Sequence, residues 1–178
     1  MSADECLIVD ADVLIDFIKA DRNIISIIIK HLAPVYVVRQ VLKQVKAIES
    51  EEELTSLGVT VIDPEIEDLY TAAKTTSPTD FEDQLCYLTA KRHGFTCVTN
   101  DKDLRNCCID DGVPSLRGLR LILRLCALQR ISVAEAIKIA EQIHKNNPRY
   151  ITKTILKNFI KALKQQKGSY GLPPDFYI

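Results

Sequence analysis

The chain has 178 residues, enough for one domain or one domain with an appendage and large enough to bury a core without disulfides. Its 47% apolar content and lack of a long low-complexity tract exclude a disordered protein, and no apolar run approaches the roughly 20 residues of a spanning helix. The net charge of −1 conceals a division: residues 1–116 hold 11 Lys and Arg against 21 Asp and Glu, whereas residues 117–167 hold 12 against 2. In chain order, "CLIVD" (6–10) predicts a short strand and "ADVLIDFIKAD" a helix. A second helix carries Ile24, Ile25, Ile27, Ile28 and Leu32 until Pro34 stops it. "VYVV" (35–38) predicts a strand, and Val41, Leu42, Val45 and Ile48 then fall at helical spacing. "GVTVIDP" (58–64) is a third strand and "EIEDLYTAAKTT" a helix. In "SPTDFEDQLCYLTAKRHG", Ser77 is the expected N-cap, with Pro78 at the first helical position and Asp80 three after the cap, and Gly94 is the expected stop. "FTCVT" (95–99) is the fourth strand. Strands alternating with helices predict an α/β fold with a parallel sheet covered on both faces.

The N-terminus "MSADECLIVD" carries acids where a signal peptide carries Lys or Arg, so a cytoplasmic location and no membrane partner are expected. None of the six cysteines forms a C-x-x-C, and no His stands at a metal-ligand spacing from them. Most are expected to be small buried side chains, and the adjacent pair Cys107 and Cys108 receives no role.

In parallel sheets, function collects beyond the carboxyl ends of the strands. Asp10 ends the first strand, and Asp101 and Asp103 follow the fourth, which puts them on one rim. Asp83 shares a helix face with Cys86, Tyr87 and Ala90, a face unlike that of a solvated helix. Carboxylates crowded together repel and rise in pKa unless a cation neutralises them. All-oxygen ligands select Mg²⁺ or Mn²⁺, and such sites serve phosphoryl chemistry.

In order and spacing, "LIVDADVLIDF" with Asp10, "TDFEDQLCYLTAKRHG" with Asp83 and "CVTNDKDL" with Asp101 and Asp103 resemble the acidic motifs of PIN-domain nucleases. The resemblance covers roughly residues 6–116, and the remainder is similar to a longer, VapC-like subgroup with a helical C-terminal extension. It implies a three-layer α/β/α fold, a nuclease core over 1–116 and a basic helical extension over 117–178 packed on it. The implied activity is Mg²⁺- or Mn²⁺-dependent hydrolysis of RNA phosphodiesters. Asp10, Asp83 and Asp101 would hold metal, Asp103 would assist as a further ligand or through water, and Thr99 would help shape the site. In the toxin setting the partners would be RNA and an antitoxin protein, with a homodimer as the assembly to test. One position departs from the family pattern: "VLKQV" places Gln44 where the family has Glu, and an amide brings no charge and is no general base. The alternative is therefore a catalytically weakened PIN module binding RNA or protein, and a metal-dependent phosphatase is a third class.

Beyond residue 116, Arg117, Arg120 and Arg124 recur at helical spacing beside Leu121, Ile122 and Leu125. Ser132 and Glu135 form a capping box. A last helix carries Lys153, Lys157, Lys161 and Lys164 beside an apolar stripe of Ile155, Leu156, Phe159, Ile160 and Leu163. The arginines together with Lys153, Lys157 and Lys161 are the expected RNA-backbone contacts. Docking of the basic helices on the acidic half is the competing account of the charge division.

Overall fold

The computed structural model describes residues 5–45, 48, 50–76 and 78–166. Its centre is a five-stranded, wholly parallel sheet in the order β3-β2-β1-β4-β5, with β1 Leu7–Val9, β2 Val35–Val38, β3 Thr60–Ile62, β4 Thr96–Val98 and β5 Ser115–Leu116. Every residue of β1 and β4 is buried, as expected of central strands covered on both faces. Register is direct: Leu7, Ile8 and Val9 stand opposite Thr96, Cys97 and Val98. From β1 the chain moves outward through β2 to β3, then returns to place β4 and β5 on the other side. The strand order therefore reverses between β1 and β4, and the crevice at their carboxyl ends is where such sheets bind ligands.

Helices α1 (Ala11–Asp21), α2 (Asn23–His31), α3 (Glu51–Ser56), α4 (Ile66–Lys74), α5 (Phe81–His93) and α6 (Lys102–Asp110) are threaded between the strands, giving a three-layer α/β/α architecture. α5 lies across β2, β1 and β4. Gly94 ends it in the left-handed region, with φ +68°, and its N–H donates to the Ala90 carbonyl. Three helices follow: α7 (Gly118–Ala127), α8 (Val133–Asn146) and α9 (Lys153–Gln166). α8 packs chiefly on α1, and α7 packs on α2, α8 and α9. At Gly118 a Cβ would stand 3.0 Å from Val13 Cγ1, so the close approach of α7 to α1 suits a residue without a side chain.

Three local expectations change. The helical spacing after β2 becomes a 3₁₀ segment, Arg39–Gln44, whose cap Val45 donates to Leu42. β-branched Val41 and Val45 lower α-helix propensity, and the tighter turn still buries both. Lys46, Ala47 and Glu49 lie outside the described residues. α5 is capped by Asp80, which accepts from the Asp83 N–H at 2.8 Å. Ser77, the expected cap, lies outside the described residues; Asp80 serves because a carboxylate one residue before the helix both pairs an orphan N–H and complements the dipole. Finally, "DKDLR" opens α6, and the two-residue β5 forms the sheet edge without a readable alternation of its own.

Candidate active site

The rim at β1 and β4 receives three helix N-termini. α1 and α6 leave it directly from β1 and β4, and α5 starts there because it must run back antiparallel to enter β4. Each carries an aspartate at its N-cap: Asp10 accepts from Val13 N–H, Asp80 from Asp83 N–H, and Asp101 from Asp103 and Leu104 N–H. Sequence logic for capping and sequence logic for a carboxylate site thus select the same residue type, because a carboxylate satisfies the orphan donors and faces the positive end of the dipole.

Thr99, 0% exposed at the end of β4, holds two of these groups together. Its hydroxyl oxygen accepts from the Asp101 N–H at 3.0 Å, and the same hydroxyl lies near enough to the Asp10 carboxylate to lower its pKa. Asp10 is 3% exposed, and burial pushes it up to about 8 despite bonds from Thr99 and Val13, with the Asp12 and Asp83 charges adding to the rise. Burial, then the charges of Asp80, Asp101 and Asp12, push half-buried Asp83 up to about 7. Asp12, in the first turn of α1, is raised by burial and by Asp101, while Arg149 acts in the opposite direction. These are carboxylates that destabilise one another's charged forms, the condition a hard divalent cation relieves. Among the described residues no three His, Cys, Asp or Glu side chains stand together as a group ready to hold a metal ion. The donor set nevertheless fits Mg²⁺ or Mn²⁺ chemically, being all oxygen and strained by repulsion.

The structure thus brings together Asp10, Asp83, Asp101 and Thr99. Asp103 is exposed in the first turn of α6, and its charge is not among the main ones acting on the others. Gln44 is exposed at the margin, donating through Nε2 to Asp80 Oδ2 at 3.4 Å. Sequence reading missed Asp12 and Asp80. The D-x-D spacing of Asp10 and Asp12 was a usable signal for the first; Asp80 reads locally as a helix-start residue, which it also is. Nothing local could have revealed Arg149 and Tyr150, which arrive from the turn between α8 and α9. Of the expected RNA contacts, Lys153, Lys157 and Lys161 are exposed on α9. Arg117 and Arg120 are half-buried, and Arg124 is ion-paired with Glu5 at 3.0 Å.

Comparison with family models finds the PIN domain over residues 7–109, from the first residue of β1 into α6. The chain belongs to the PIN-domain family. A search of curated proteins finds no match. PIN domains are generally nucleases, and the matched span contains all three capped helix starts and Thr99, while α7 to α9 lie beyond it. Among the described residues no helix is long and apolar enough to cross a membrane. The cysteines are free, and Cys86, Cys97 and Cys108 are buried, with the first two sulfurs 3.9 Å apart.

Proposed function

We propose that this PIN-domain chain is a Mg²⁺- or Mn²⁺-dependent endoribonuclease, with residues 1–116 as the nuclease core and 117–178 as an RNA-contacting extension. Asp10, Asp83 and Asp101 would hold the ion, which when bound supplies charge neutralisation and Lewis-acid polarisation of the phosphodiester. Thr99 would keep Asp101 in register with Asp10, accepting from the Asp101 N–H and acting on the Asp10 carboxylate. Asp103, exposed in the first turn of α6, would assist as a further ligand or through water. Gln44 acts on Asp80, orienting a carboxylate at the margin. The observation that carries the reading is the pair Asp10 and Asp83, pushed up to about 8 and about 7 by burial with like charges around them. Such a group in a cleft is what a metal-dependent hydrolase uses. The setting we infer is the toxin of a toxin–antitoxin pair acting in the cytoplasm, with the antitoxin as protein partner.

The test is hydrolysis of a mixed RNA pool by the purified chain at saturating Mn²⁺. Wild type should cleave, and Asp101→Asn should lose about 100-fold or more, the scale of a lost acid–base or ligating group. In parallel, millimolar Mn²⁺ should raise the melting temperature of wild type but not of Asp10→Asn/Asp101→Asn, since a ligand of the native state stabilises it. Equal shifts in both would remove the metal site. The amide of Gln44 favours one second reading, a PIN module that binds without cutting: a Mn²⁺ shift with no cleavage by wild type or Gln44→Glu would establish it.

A further inference from the structure

The turn between α8 and α9 lies outside the matched PIN span, yet it closes on the acidic rim. α8 packs along α1, and where it ends Asn147 Nδ2 donates to both oxygens of Asp16, at 3.1 and 3.2 Å. Fully buried Ile151 anchors the far side, its N–H donating to the Asn147 carbonyl at 3.0 Å. Between these anchors the Arg149 guanidinium lies over the Tyr150 ring, 5.2 Å from its centroid, and is near enough to oppose the rise of the Asp12 carboxyl, while burial and then the Asp12 and Asp101 charges push the Tyr150 phenol up. Arg149 is exposed, and among the described residues it makes no salt bridge.

We propose that this turn is part of the active site, Arg149 holding a non-bridging oxygen of the substrate phosphodiester opposite the carboxylates and Tyr150 fixing the position of Asp101. The inference rests on the nuclease reading above. An RNA phosphate must approach Asp10, Asp12, Asp80, Asp83 and Asp101, and one divalent ion leaves that group with excess negative charge once ionised. A fixed cation on the rim offsets this, and a guanidinium presents paired donors matched to phosphate oxygens. Stacking on Tyr150 restricts the rotamers that binding would otherwise have to freeze.

Arg149→Gln, Arg149→Lys and Tyr150→Phe are compared with wild type in three measurements: affinity for a short single-stranded RNA in EDTA across a salt series, kcat and KM in Mn²⁺, and the Mn²⁺-induced melting shift. Arg149→Gln should weaken RNA binding about tenfold and lower the salt slope by about 0.7 to 1, the loss of one phosphate contact. Its Mn²⁺ shift should be unchanged or larger, because a cation beside the carboxylates has gone. Arg149→Lys should restore the slope but not kcat, a split that mere support of the turn would not produce. Tyr150→Phe should lower kcat severalfold and leave the salt slope alone. If wild type cleaves RNA and Arg149→Gln matches it in KM and salt slope, the inference fails alone. A rise in activity in Arg149→Gln would also overturn it, making the turn an autoinhibitory plug. If wild type shows neither cleavage nor a Mn²⁺ shift, the nuclease reading fails and takes this one with it.

Discussion

Asp16 shows how a single buried carboxylate can join the acidic core to the helices that follow it. It is 2% exposed on α1, with Oδ2 accepting from Asn100 Nδ2 at 3.2 Å and both oxygens accepting from Asn147 Nδ2. Asn100 in turn accepts the Gly118 N–H at 3.3 Å, so the end of β4, the start of α7 and the end of α8 meet through one group. Burial dominates over the two amides and pushes Asp16 from 3.8 up to about 7, with Asp12 adding and Asn147 opposing. The folded chain therefore holds this proton more tightly than the unfolded chain. The resulting stabilisation is complete below 3.8 and is lost as pH rises through about 7. Asp16→Asn mimics the protonated group, so it should gain stability relative to wild type as pH rises from about 4 to about 7 and stay level above that. The gap should be on the order of 2–4 kcal/mol. Urea unfolding of both proteins at three pH values checks this, and other carboxylates cancel in the difference. A gap independent of pH would mean that the amide bonds, not burial, set the ionisation of Asp16.

At the level of elements, signals written into adjacent residues were legible, and signals that depend on neighbours were not. The capping box of α8 is present as its spacing implied: Glu135 N–H donates to Ser132 Oγ at 3.1 Å and Ser132 N–H donates to Glu135 Oε2 at 2.7 Å. Ser132→Ala should cost about 1 kcal/mol and lower Tm by about 2–4 °C in thermal unfolding. Because α8 carries Asn147 at its far end, the Mn²⁺ shift should persist in this variant, which separates helix stability from the site. Gly94 was equally local, since only its left-handed conformation had to be recognised. The 3₁₀ segment was not: Val41, Leu42, Val45 and Ile48 match helical spacing, but the turn they adopt is decided by where β2 releases the chain against α1 and α5. Asp80 as the cap of α5 is the same kind of case, since where the helix begins depends on how it packs across the sheet.

For the whole molecule, the ion pairs of the described residues lie mostly within the acidic part. Among ion pairs of described residues, Arg124 with Glu5 crosses between the basic part and the acidic part, whereas Arg22 with Glu53, Arg39 with Glu51 and Asp63, Lys91 with Asp111, and Arg92 with Asp68 lie within the acidic part. Lys153, Lys157 and Lys161 are exposed on α9, whose other side is held by Phe159, Ala162 and Leu163 in the core. Changing the three lysines together to Gln should weaken RNA binding across sequences and lower the slope of log affinity against log salt by about 2. An unchanged slope would leave them as a solvated face. Sequence by itself determined the alternation that makes a parallel sheet and the rim on which Asp10 and Asp101 end their strands. Each of these follows from local periodicity, turn chemistry or an ordered motif, which are properties of neighbouring residues. Tertiary structure decided that Asp12, Asp80 and Asp83 join those groups, that Thr99 accepts from Asp101 beside Asp10, and that Arg149 and Tyr150 reach them from the turn after α8. Those facts depend on β4 pairing beside β1 and on α8 packing against α1, contacts between distant segments for which no single stretch of sequence carries a period.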